Sequence, residues 1–275
     1  MCAARHLARS PKKREEKVRL DRGGEATRAG AHSLGEEGLI AEDLLKAYPS
    51  VVAVGGVSFS IPHGSVHGLI GPNGAGKTTT LGMCAGIVRP TSGRVSLDGV
   101  EVGVNPLENK FKVAIIYDEP YLLPKLTGRE HIDFILRLYG IWDTTRSNSA
   151  IERFELGGVI DKQTGGYSHG TKQRLALAIA LARDPLVYLL DEPTVGLDPR
   201  FIREMRFIIA EEASRGKIVV LSTHLLEEAQ GICDGFTVMD RGQVRATGDL
   251  GALQAAAGIG DGGTLEEAFF QLTTN

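Results

Sequence analysis

Eight residues, Gly71-Pro72-Asn73-Gly74-Ala75-Gly76-Lys77-Thr78, constrain the fold of this chain more than any other stretch. They fill every fixed position of the P-loop pattern, which ends on Gly-Lys and a hydroxyl residue. Its glycines reach backbone conformations closed to other residues and let several N–H groups converge on one oxyanion cluster. Residues 65–70 read as a short apolar strand before it, and 79–87 as a helix after it. That order places a phosphate at a helix N-terminus, the positive end of the helix dipole. Lys77 is then within reach of the terminal phosphates of a nucleotide, the Thr78 hydroxyl is a Mg²⁺ ligand, and Thr79 follows at the helix start. A glycine-rich turn with a surface lysine is the alternative, and the strand–loop–helix context weighs against it.

A phosphate loop needs a second anchor for its metal. The apolar run Leu186-Val187-Tyr188-Leu189-Leu190 ends in Asp191. Such a run reads as a strand buried on both faces, with its acid emerging at the carboxyl end, where ligands bind in open α/β sheets. Asp191 is therefore the expected Mg²⁺ anchor, direct or through water. Glu192 follows at once, and alternation along the strand end would aim it elsewhere, where it could polarise a water in line with the last phosphate. Alone, Asp191 and Glu192 would simply end a strand.

Taken in order, these elements resemble the nucleotide-binding subunit of an ABC transporter over about residues 39–250. The resemblance implies an α/β fold: a P-loop NTPase core with a mainly parallel sheet, an N-terminal antiparallel β subdomain over 39–61, and a helical signature subdomain over about 119–183. It implies ATP and Mg²⁺ as ligands. Tyr48 stands at the spacing of the family's adenine-stacking aromatic. Ser168 and Gly170 fall in the signature element, usually Leu-Ser-Gly-Gly-Gln. Asp191 and Glu192 match the metal-anchoring and catalytic acids, Gly196-Leu197-Asp198 resembles the D-loop, and Ser222-Thr223-His224 ends an apolar strand with the switch histidine. Catalysis is thereby assigned to Glu192, His224 and Lys77. Each has a plainer reading: Tyr48 as an edge-strand aromatic, His224 as a residue at a helix start, and Asp198-Pro199 as a helix cap with proline at the first helical position.

Two elements depart from the family pattern, the signature at three of its five positions and the Q-loop at Asp118. The signature reads Tyr167-Ser168-His169-Gly170-Thr171, with a helix expected from Thr171 to about Arg183, and His169 puts a titratable ring where glycine is usual. In Ile116-Tyr117-Asp118-Glu119-Pro120, Asp118 aligns with the Q-loop glutamine. A carboxylate there can still bind the cation, but it adds negative charge near the phosphates.

A helix N-terminus at the signature would duplicate the anion site the P-loop helix already supplies. In the family the signature belongs to the partner's nucleotide, so two ATP molecules are held between two chains related by a two-fold axis. ATP closes such a pair and hydrolysis reopens it. The expected function is an ATP-hydrolysing subunit that drives an integral membrane permease, in the exporter branch by analogy, as a homodimer or a heterodimer with a second ATPase. Its expected place is cytoplasmic, on the inner face of the membrane. A soluble relative acting on ribosomes or DNA would carry two cassettes or a coiled-coil or zinc insert; no domain-scale repeat or heptad run occurs, and no specific nucleic-acid partner is expected. A cassette that binds ATP without turnover is disfavoured by Glu192 and His224.

Composition agrees. The chain has 275 residues and 42% hydrophobic content, and no apolar run approaches the roughly 20 residues a membrane helix needs. Residues 1–38 hold 9 Lys/Arg and 6 Asp/Glu with little apolar periodicity, which predicts a disordered basic tail, whereas the remainder holds 22 basic and 28 acidic residues. Lys12-Lys13-Arg14 could meet anionic lipid or nucleic acid, though a solvated tail or an over-extended start site is the plainer reading. Cys2, Cys84 and Cys233 lack paired spacing, which fits a reducing compartment and no zinc site. Helices are expected over 128–139 and 148–157, with Gly165-Gly166 as a hinge into the signature and exposed members of Ile132, Phe134, Ile135, Leu136 and Leu138 as docking candidates. Strands are expected over 236–240 and 243–247. Residues 251–275 form a short helical appendage, with 255–263 as a flexible connector before a capped helix over 264–272.

Overall fold

The computed structural model describes residues 37–274, apart from 105 and 261. The expected basic tail therefore lies outside the described residues, except for Glu37 and Gly38. Gly38 belongs to the folded part: its N–H donates to Asp98 Oδ1 at 2.9 Å and its carbonyl accepts from Asp98 N at 3.0 Å. Its φ of +108° is open only to glycine, and a Cβ there would lie 2.4 Å from Ile61 O.

In chain order the elements are β1 (Leu39–Tyr48), β2 (Val51–Ile61), β3 (Val66–Ile70), α1 (Lys77–Cys84), β4 (Ser92–Leu97), β5 (Val100–Glu101), α2 (Pro106–Lys112), β6 (Val113–Ile116), α3 (Gly128–Leu138) and α4 (Thr144–Arg153). There follow α5 (His169–Arg183), β7 (Val187–Asp191), α6 (Pro199–Ser214), β8 (Ile218–Thr223), α7 (Leu226–Gln230), β9 (Gly235–Asp240), β10 (Gln243–Gly248), α8 (Leu250–Ala257) and α9 (Leu265–Thr273). β1, β2, β4 and β5 make an antiparallel sheet in the order β2-β1-β4-β5. The other sheet runs β10-β9-β3-β8-β7-β6, parallel throughout except for the antiparallel edge strand β10.

The central strands read as unbroken apolar runs because both of their faces are covered. Val187 and Leu189 of β7, with Ile218 and Val220 of β8, pack toward the antiparallel sheet and α1. The alternate residues, Tyr188, Leu190, Val219 and Leu221, pack under α3, α4, α5 and α6. Period-two alternation thus separates two cores across one sheet. Phe154 and Phe201, both fully buried, meet edge-on at 6.1 Å and join the end of α4 to α6. Burial of one such ring contributes about 2–3 kcal/mol. A further core at the β9 edge is made by Phe236, Val238, Leu253, Leu265 and Ala268.

Several expected boundaries move, each for a local reason. The helix after the P-loop begins at Lys77, not at 79, and stops at Cys84, with Gly86 turning the chain at φ +69°. α4 spans Thr144–Arg153 rather than 148–157, because Asp143 caps it by accepting from the N–H groups of Thr145 and Arg146. α5 begins at His169, two residues before Thr171, with Ser168 as its N-cap. The connector expected over 255–263 is helical through Ala257: α8 is capped by Asp249, ends at Gly258 in the left-handed region, and buries Leu253 fully. α9 carries the expected capping box between Thr264 and Glu267.

Candidate functional site

The P-loop, both acids and the histidine meet because parallel strands end in step. Ile70, the last residue of β3, is in register with Thr223 of β8, and Asp191 of β7 is in register with Ser222. Three carboxyl ends therefore open on one edge, the place where open α/β sheets bind ligands. The edge carries a cavity of about 650 Å³, bounded by the P-loop from Pro72 to Thr79, by Asp118, Asp191 and Glu192, and by Val51, Val52, Ala53 and Arg241.

The loop's shape follows from its glycines. Gly76 has φ +99° and N-caps α1 with no side chain bonded to the helix N–H groups, and the first turn holds no acid. Those N–H groups are open to an anion. A Cβ on Gly76 would lie 2.5 Å from Ala53 O, so the loop also packs tightly on β2.

Around this loop the side chains form one chain of contacts. Lys77, 6% exposed, donates from Nζ to Gly71 O at 2.7 Å and Pro72 O at 3.3 Å, and lies 3.1 Å from Glu192 Oε1. Thr78 Oγ1 donates to Asp191 Oδ2 at 2.7 Å, and Ser222 Oγ donates to Asp191 Oδ1. Glu192 Oε2 and His224 Nδ1 are hydrogen-bonded at 2.9 Å. Glu192 leaves the strand by a left-handed backbone, φ +47°, not by simple alternation, and its N–H is held by Ser222 O at 3.1 Å. A non-glycine residue in that region costs about 1–3 kcal/mol, a strain typical of functional positions.

The donor set fits Mg²⁺ and a polyphosphate. One hydroxyl and one carboxylate, Thr78 and Asp191, touch each other, while among the described residues no three acidic, His or Cys groups form a closed metal cage. Mg²⁺ binds in this manner, through one or two protein oxygens, with phosphates and water completing its octahedron.

Other expected residues stand apart. Tyr48 ends β1, 44% exposed, with Lys46 Nζ 5.1 Å from its ring centroid, and it is not among the residues bounding the cavity; its hairpin partner Val51 is. Ser168 and Gly170 likewise do not border it. Ser168 is exposed, and its Oγ accepts from Thr171 N at 3.3 Å. A Cβ on Gly170 would touch Leu197 at 3.4 Å, so the signature helix packs against the 196–198 turn. Arg174 reinforces this contact through Asp198 Oδ2 at 2.9 Å, and Asp198 also caps α6 by accepting from Phe201 N.

Asp118 does border the cavity. Burial pushes its carboxyl above the usual range; His169 opposes that, while Glu192, Asp191 and Glu119 add to it. Arg241 was not singled out from the sequence. It occupies the β9–β10 turn at φ +50°, beside Gly242 at φ +79°. The turn is fastened on both sides, since Gly242 N donates to Ala75 O at 3.1 Å and Gly55 N to Gly242 O at 2.7 Å. Arg-Gly between two strands signals a hairpin but not its meeting with the P-loop.

The family description "ABC transporter" matches residues 54–195. The linearmycin resistance ATP-binding protein LnrL of Bacillus subtilis (strain 168) is 34% identical over 213 residues, covering 76% of this chain and 68% of its own. The Nod factor export ATP-binding protein I of Burkholderia orbicola (strain AU 1054) is 38% identical over 211 residues, covering 76% and 69%. A solved ATP-binding subunit of an ABC transporter superposes with a TM-score of 0.80 at 30% identity, over 85% of this chain and 98% of that one.

Proposed function

This chain belongs to the ABC transporter family, as an ATP-binding and ATP-hydrolysing subunit that uses Mg²⁺, and from that premise we propose the following division of labour among its residues. Lys77 and the P-loop amides hold the β- and γ-phosphates. Thr78 and Asp191, with Asp118 at the rim of the same cavity, hold Mg²⁺, which supplies charge neutralisation on the phosphate oxygens. Glu192 takes a proton from the attacking water, and His224 orients Glu192 through the bond to Oε2. The observation that carries this reading is the continuous contact set Lys77–Glu192–His224 beside Thr78–Asp191. Mg²⁺-dependent phosphate release by the purified chain with its membrane partner tests it. Loss of release in Glu192→Gln with retained ATP binding supports it, and undiminished release overturns it.

Ser168 and Gly170 serve a second chain's nucleotide. They sit at the N-terminus of α5, away from their own cavity, and Ser168 is exposed. A homodimer with two equivalent sites is the simplest assembly consistent with this placement. The membrane permease docks over the groove of about 220 Å³ between the segment 114–122, α3 and α5. Of the apolar residues on α3, Ile132 and Leu136 are fully buried, Ile135 borders the groove, and Phe134 and Leu138 are exposed. Tyr121, 91% exposed, stands at its edge. Among the described residues no helix is long and apolar enough to cross a membrane, so a spanning partner supplies the pathway. Export is the favoured direction, because one similar protein is named for resistance and another for export. The expected place is the cytoplasmic face of the membrane. The body over 39–250 acts as the ATPase, its helical part over about 119–183 meets the permease, and 251–275 forms the appendage.

A further inference from the structure

Asp118 and His169, one departure from the family pattern in the Q-loop and one in the signature, meet in space. His169 Nε2 lies 3.8 Å from Asp118 Oδ1. That oxygen is buried and has no hydrogen-bond partner among the described residues. Its carboxylate stands in an acidic corner: Asp191 and Glu192 border the same cavity and Glu119 is its neighbour in sequence. The charges of all three oppose a carboxylate at this spot, and the imidazole is the neighbour that favours it.

The ring is itself held on other sides. His169 is the first residue of α5, after the cap Ser168. Its Nε2 is 3.2 Å from Val195 O. Its flat edge lies on Gly196, where a Cβ would fall 2.9 Å from Cδ2. Nε2 is thus within hydrogen-bond distance of a carbonyl of the 195–196 turn and, at 3.8 Å, within ion-pair distance of a carboxylate at the cavity rim. A glycine at 169 could make neither contact, and a glutamine at 118 would bring no charge for the ring to meet.

We propose that His169 is a positioning residue that holds Asp118 at the rim of the nucleotide cavity and fastens the 117–120 loop to the 195–196 turn and to α5. The inference rests on the nucleotide-site reading above. The loop that borders this chain's own phosphates and the helix start that carries Ser168 and Gly170 then share one side chain. Without the ring, Asp118, already 46% exposed at its side chain, swings to solvent away from Asp191 and Glu192.

A double-mutant cycle on the full chain tests this, read by fluorescence of mant-ATP in EDTA and then during titration with MgCl₂. His169→Ala is expected to raise the half-saturating Mg²⁺ concentration roughly tenfold, the scale of losing a residue that orients a metal-site group. Its mant-ATP affinity in EDTA stays within about twofold of wild type, because the P-loop contacts are untouched. In an Asp118→Gln background the same change moves the Mg²⁺ requirement by less than about twofold, since the partner is already gone. His169→Gln, which keeps a donor of similar reach, stays within about threefold of wild type. If the alanine variant does not fold, His169→Asn, too short to reach Asp118, gives the same comparison. Equal shifts in both backgrounds, or no shift in either, overturn the proposal. Failure of the nucleotide-site reading is distinct: there wild type would not bind mant-ATP, or Lys77→Ala would bind it equally well.

Discussion

Lys77 Nζ lies 3.1 Å from Glu192 Oε1, so the cation of the phosphate loop and the acid at the end of β7 neutralise each other. Both side chains are nearly buried, at 6% and 13% exposure. On the proposed roles the pair ties phosphate binding to water activation: Lys77 is not pulled fully toward a phosphate without loosening Glu192, whose other oxygen is then left to His224.

Glu192→Gln removes that counter-charge while keeping the size of the side chain. Lys77 then has one fewer competitor for its charge, so ATP affinity stays equal or rises. Hydrolysis falls by at least about 100-fold, because an amide cannot accept the water's proton. The nucleotide persists between chains, and a dimer accumulates. Phosphate release and light scattering with MgATP check both halves. A variant that stays monomeric at saturating MgATP, with its membrane partner present, overturns the two-chain reading.

Lys77→Ala acts in the opposite direction. It removes the one side-chain cation within ion-pair distance of Glu192 Oε1 among the described residues and leaves a nearly buried carboxylate at the cavity. Removing the cation from a close charge pair across a binding interface, here Lys77 with the phosphates, costs about 2–5 kcal/mol, which corresponds to an ATP affinity weaker by roughly 30-fold or more. Titration with mant-ATP measures it directly, and an unchanged affinity removes the role given to the loop.

The parts of this site that were legible in the sequence are those set by local pattern. A glycine-rich loop after a strand, an apolar run ending in Asp191, and a second run ending at His224 each announce themselves within about ten residues. Parallel pairing then had to bring Ile70 level with Thr223 and Asp191 level with Ser222, and uniformly apolar strands are consistent with that. Contacts between distant loops carry no such local signal. The Arg241–Gly242 turn meets the P-loop through the Gly242 N–H, which donates to the Ala75 carbonyl, and His169 at the start of α5 meets Asp118 of a distant loop. The helix α8 was missed because an alanine-rich stretch ending in glycine resembles a connector until Leu253 finds its core. The true start of α5 was missed because a cap decides it, not periodicity.

Arg241 is expected to strengthen nucleotide binding at a cost in stability. Its side chain borders the cavity, is exposed, and makes no hydrogen bond or ion pair among the described residues. Its backbone sits at φ +50°. Arg241→Gly relieves the left-handed strain and should stabilise the fold by about 1 kcal/mol. The same change should weaken MgATP binding about three- to tenfold, an effect that shrinks as salt is added, as for an exposed charge. Urea unfolding and mant-ATP titration at two ionic strengths read the opposite signs. A variant that is no more stable and binds equally well overturns the assignment.

His67 gives the fold a stability that depends on pH. It lies on β3, buried, with Nε2 2.9 Å from Thr237 Oγ1 and its ring stacked on Phe59 at 5.9 Å. Burial pushes its imidazole down to about 4, because the charged form cannot be solvated there. In the unfolded chain the same group takes up its proton near pH 6.5. As pH falls below 6.5 the unfolded state therefore binds a proton that the folded state refuses, and stability drops until the folded group also titrates near 4. Above pH 7 the group is neutral in both states and contributes no slope. Between pH 7.5 and 4.5 this amounts to about 2.5 kcal/mol. His67→Gln keeps a polar contact to Thr237 but cannot take up a proton in this range. Urea unfolding of both proteins across that range should show the wild type losing about 2.5 kcal/mol more than the variant, with acid effects from other groups cancelling in the difference. Parallel profiles would mean that His67 is protonated within the fold, and that the Thr237 contact is made by an imidazolium.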